Sequence, residues 1–100
     1  MIDERKLFLA WAGDAIVGCA GWYDGSVRHV YVRPEMTRKQ VGSRLLAAAE
    51  ADFRLRSAAR SIHANAAVYA AGFYEANGYR LLSMGLAWDG SSVCRMRKDF

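Results

Sequence analysis

The stretch from Ser26 to Glu50, SVRHVYVRPEMTRKQVGSRLLAAAE, gathers much of the chain's positive charge around one turn. Arg28, Arg33, Arg38, Lys39 and Arg44 lie in it, and Glu35 is the only acid between Ser26 and Ala49. Val27, Val30, Tyr31 and Val32 are strand formers, and Pro34 stops the strand because it has no N–H for a ladder. The turn from Thr37 to Ser43 then opens a helix. A strand-to-helix turn aims unpaired backbone N–H groups at one spot, beside the positive end of the helix dipole. That is a site for an anion, with phosphate the natural occupant. On charge alone, an ordinary solvated basic face would read the same way.

Other groups could move protons. Tyr74 carries a phenol with a reference pKa near 10, able to donate a hydrogen bond or a proton. Read from its own helix it is equally a core tyrosine. His29 and Glu35 are candidate bases, and Asp24 could hold a water. On strand alternation His29 shares a face with Tyr31 and not with Val30 and Val32. His63, in a mostly apolar segment, reads as structural, and Tyr31 and Tyr69 read as packing residues. Cys19, His29, His63 and Cys94 show no ligand spacing, so no metal is expected.

These groups need elements to hold them. Lys6–Ala12 and Ala15–Tyr23 are apolar runs split by Gly13 and Asp14, a hairpin signal. Asp24 and Gly25 turn the chain into Ser26–Val32, completing an antiparallel meander. Gly18 and Gly21 mark bulges or close backbone approach. A helix is predicted over residues 40–56, with Val41, Leu45, Ala48, Ala49 and Phe53 inward, Asp52 at the stripe's edge, and Glu50 and Arg54 outward. A fourth strand follows at 60–66, after a crossover long enough to be parallel and right-handed. A short helix is predicted at 68–77, its face marked by Ala70, Phe73, Tyr74 and Asn77, with Gly78 as its left-handed stop. Strands at 79–88 and 92–98 close the chain. The expected class is α/β, a mixed antiparallel and parallel sheet in the order β-β-β-α-β-α-β-β.

The chain has 100 residues, a net charge of +4, 53% hydrophobic and 24% charged residues. That is a single globular domain by length and composition. No run of about 18 apolar residues exists to span a membrane. Residues 1–6 are charged and lead into only a short apolar run, so no signal peptide is expected. Two isolated cysteines fit reduced thiols in a cytoplasmic protein. A nucleic-acid partner is disfavoured, since no aromatic platform interleaves the basic run.

Three segments resemble the GNAT N-acetyltransferases, a family of acyl-CoA-dependent transferases. VYVRPEMTRKQVGSRLL, Val30 to Leu46, is similar to the family's strand, phosphate loop and helix. NAAVYAAGFYEANGYR, Asn65 to Arg80, resembles its second conserved segment, with Phe-Tyr-Glu and then Gly-Tyr. WDGSSVCRMRKDF, Trp88 to Phe100, resembles its closing hairpin. The loop departs from the common Arg/Gln-x-x-Gly-x-Gly/Ala, because Thr37, Gln40 and Gly42 hold those positions and only the last is kept. Gln40 can still offer its N–H if its φ is negative. Members usually open with a strand and two helices, which the resemblance lacks here. A fragment, a natural short form or a dimer sharing a site, such as a homodimer, would each account for that.

The resemblance implies acetyl-CoA as acyl donor, without a metal. Its pyrophosphate would meet Arg38, Lys39, Gln40, Val41, Gly42 and Ser43. Its pantetheine arm would pair with the strand at Val30, Tyr31 and Val32, where a backbone N–H could polarise the thioester carbonyl. Tyr74 would assist the departing thiolate. The acceptor would be a primary amine on a small molecule or protein, attacking directly in a ternary complex. An amine resembling lysine is neutral in fewer than roughly one molecule in a thousand at pH 7, which adds about 4–5 kcal/mol unless a base takes the proton. A CoA-binding module without turnover is the alternative, and the acceptor itself is not written in the sequence.

Overall fold

The computed structural model describes residues 6–36 and 40–100, without the side chains of Lys6, His29 and Glu35. The elements follow the expected order: β1 (Lys6–Ala12), β2 (Ala15–Tyr23), β3 (Ser26–Val32), α1 (Val41–Arg56), β4 (Ser61–Ala67), α2 (Ala71–Ala76), β5 (Arg80–Leu86) and β6 (Ser92–Asp99). Short 3-10 turns at Pro34–Met36 and Val68–Ala70 precede the two helices. None of the described helices is long and apolar enough to cross a membrane. The chain divides into two compact units, Met1–Ala58 and Ala59–Phe100.

In the first unit, β1, β2 and β3 form the antiparallel meander, with α1 across one face. Gly13 and Gly25 turn the chain at φ +60 and +77, angles that cost glycine nothing. Ala20, Leu45 and Ala49 form the core, with Phe8, Ala10, Trp22, Val30, Val32 and Val41 packed around it. At the far end of α1, Phe53 meets Trp22 edge-on with ring centroids 5.1 Å apart. The Trp22 indole N–H donates to Asp52 at 2.9 Å, and Asp52 also accepts from Arg56 Nε at 2.9 Å.

Two findings correct the sequence reading of this unit. Glu50 does not lie on the outer face; it is 7% exposed and buried with Leu46 and Phe53. The buried stripe is wider than one row of i,i+4 positions: Gly42, Leu45, Leu46, Ala49, Glu50 and Phe53 are all buried. Strand alternation also fails in β3. Cys19 pairs with Tyr31 and Gly21 with Arg28, so Ala20 faces two residues, His29 and Val30. This bulge lets Val27 and Val30, three apart, both turn to the core, and it voids the alternation argument about His29.

Gly18 is a close-approach glycine. A Cβ there would stand 2.9 Å from Leu45 Cδ1 and 2.9 Å from the Tyr31 carbonyl oxygen. Backbone cannot yield as a flexible side chain does. Gly18→Ala should therefore destabilise the protein by about 1–3 kcal/mol, read as a fall in the denaturation midpoint.

In the second unit β6 lies between β4 and β5, antiparallel to both. β4 is shifted one residue from the predicted 60–66, and the predicted helix at 68–77 divides into the 3-10 turn and α2. Ile62, Ala64, Ala66, Cys94 and Met96 are buried on one face of this sheet. Gly78 takes φ +95, as its place after α2 requires. The other face carries His63, Asn65, Arg95 and Arg97.

Candidate active site

The phosphate-facing half of the expected site lies in the first unit. α1 begins at Val41 after Gln40, whose carbonyl accepts the first helical hydrogen bond from Arg44 N–H at 3.1 Å. Among the described residues no side chain caps the start of this helix, and its first turn holds no acid. The N–H groups of Val41, Gly42 and Ser43 thus lack intrahelical acceptors at the positive end of a 16-residue helix. Arg44 stands one turn in. That set suits a phosphate and repels no anion. Arg38 and Lys39, with Thr37, lie outside the described residues.

Gln40 does not meet the condition of a negative φ under which its N–H could serve the anion. It sits at φ 60, ψ 19, in the left-handed region. The family's usual glycine at this position now has a physical reason, since a residue with a Cβ pays about 1–2 kcal/mol there. Gln40→Gly should raise stability by about 0.5–1 kcal/mol, the relieved strain less the extra chain entropy of glycine, visible as a higher Tm.

Val30 and Val32 turn to the core, while Tyr31 points the other way and is 57% exposed. Tyr31 is therefore no packing residue, nor is Tyr69, at 93% exposure. His63 is exposed rather than structural. Asp24 occupies an exposed turn at φ 52, and the side chains of His29 and Glu35 lie outside the description.

The second unit carries Tyr74. It is 7% exposed, with its ring edge-on to Phe73 at 5.2 Å and to Tyr79 at 5.3 Å. Its carbonyl accepts the N–H groups of Asn77 and Tyr79, each at 3.0 Å, which ties the end of α2 down. The Asn77 side chain adds a bond to the Phe73 carbonyl at 2.8 Å. Burial raises the phenol's pKa above its ordinary value of 10.0, so it stays protonated at neutral pH. Its fixed proton suits a donor. Its burial equally suits a core residue.

The profile of the acetyltransferase (GNAT) domain family matches residues 1–100. The chain belongs to the GNAT family. Solved structures agree on the fold. A GCN5-related N-acetyltransferase from Rhodopseudomonas palustris superposes with a TM-score of 0.89 at 23% identity, over 96% of this chain and 62% of that one. Escherichia coli ElaA gives 0.82 at 14% identity, over 99% of this chain and 71% of that one. An aminoglycoside 6'-N-acetyltransferase complexed with coenzyme A gives 0.80 at 18% identity, over 96% and 73%. This chain thus spans less than two-thirds of the Rhodopseudomonas protein. No curated protein matches it. The α/β class and the element order expected from the sequence are those of the GNAT acyltransferases.

Proposed function

We propose that residues 1–100 act as one acyl-CoA-dependent N-acyltransferase domain that moves an acetyl group from acetyl-CoA to a primary amine. The carrying observation is the start of α1 in a GNAT chain: three backbone N–H groups without helical acceptors, with no side-chain cap among the described residues and no acid in the first turn. Val41, Gly42 and Ser43 hold the pyrophosphate through those N–H groups, with Arg38, Lys39 and the Gln40 turn beside them. The main chain of Val30, Tyr31 and Val32 holds the pantetheine arm. Acetyl-CoA supplies the activated thioester. Tyr74 keeps a proton on its hydroxyl at neutral pH and gives it to the departing sulfur. The reaction runs in a ternary complex, at a cytoplasmic site, without a metal.

One observation favours a second reading. Tyr74 packs as a core aromatic would, which fits a module that binds CoA without turning it over. A screen of amine acceptors with acetyl-CoA, following free-thiol release, separates the two. Thiol release that depends on acceptor supports the transferase. CoA binding with no release across the screen supports the module.

A further inference from the structure

The open face of the second unit breaks a rule of sheet pairing. Directly opposed residues share a face, and like charges placed opposite each other are destabilising. On β6, Arg97 has Arg80 opposite it on β5 and His63 opposite it on β4. One row along, Arg95 has Asn65 on β4 and Ser83 on β5. Leu82 is the extra residue of a bulge in β5, which keeps Arg80 and Ser83 on this same face. Asp99 is the one acid in the group. It accepts from Arg97 Nε at 2.7 Å and from Arg80 Nη2 at 3.3 Å, so two guanidiniums share one carboxylate. Arg95 has no acidic partner among the described residues; its Nη1 reaches only the Met84 carbonyl, at 3.5 Å. Its guanidinium lies over Gly85, where any Cβ would overlap it. The face therefore holds more positive charge than it neutralises, in a room left open by a glycine, flanked by an amide and a hydroxyl.

We propose that this face binds an oxyanion, a carboxylate or a phosphate group. Arg95 supplies the charge-assisted hydrogen bonds, and Asn65 and Ser83 orient the group. The oxyanion site does not depend on the acyl-transfer reading above.

The test is an NMR titration of the whole chain, saturated with CoA so that the start of α1 is occupied, with citrate and separately with inorganic phosphate. Shifts should concentrate at Asn65, Ser83, Arg95 and Arg97. Arg95→Gln should weaken binding at least tenfold, while Arg54→Gln leaves it unchanged. Tighter citrate points to a carboxylate ligand, and tighter phosphate to a phosphorylated one. Scattered shifts, or equal binding by Arg95→Gln, would overturn the site. Oxyanion binding at these residues without thiol release from any amine would keep the site and remove the acyl-transfer reading.

Discussion

Tyr74→Phe should lower kcat by about ten- to a thousandfold and leave CoA affinity nearly unchanged. The substitution keeps the ring, and with it the edge-on contacts to Phe73 and Tyr79 at 5.2 and 5.3 Å. It removes only the hydroxyl, the group that would protonate the sulfur. Stability is a built-in control, because the packing around position 74 is preserved. Burial holds the folded phenol's pKa above its unfolded value of 10.0. The stability linked to this group is full below the unfolded pKa and is lost as pH rises through the folded one. Tyr74→Phe should therefore blunt alkaline unfolding above about pH 10. An unchanged kcat would return Tyr74 to the packing residues.

A negative charge at the start of α1 should abolish CoA binding. Gly42→Glu sets bulk and charge where the phosphates meet the N–H groups. Gly42 is buried, so a failed fold could imitate the effect. Ser43→Asp removes that ambiguity. It lies at the third helical position, half-buried, where an acid stabilises the helix dipole by about 0.3–1 kcal/mol. The variant should hold or gain Tm while its CoA affinity falls at least tenfold. A stable Ser43→Asp protein with normal affinity would place the pyrophosphate elsewhere.

Much of this was legible before any coordinates. β1, β2 and β3 fall where their apolar runs and the Gly13, Asp24 and Gly25 turns put them. Those signals are local, since a turn demanding positive φ admits few residues. Gly78 was readable for the same reason. What could not be read depends on neighbours distant in sequence. The bulge opposite Ala20 is a property of two strands, and nothing in SVRHVYV marks where the extra residue sits. Glu50 looks like a surface residue by type, yet it is buried. The helix expected from about residue 40 begins at Val41 instead. Gln40 takes the left-handed turn that leads into α1, and nothing local in the sequence marks that turn as glycine would. The open arginine face was invisible for a further reason. Arg80 and Arg97 are far apart in the chain, and only the β5–β6 register sets them opposite each other.

The start of α1 carries the account. The direct measurement is an amide titration of the whole chain with acetyl-CoA, read at Val41, Gly42 and Ser43. Large saturating shifts at these three amides, weakened when the 3'-phosphorylated nucleotide and its pyrophosphate are replaced by acetyl-pantetheine, are the predicted result. Binding that leaves all three amides unmoved, or acetyl-pantetheine binding as tightly as acetyl-CoA, would contradict it.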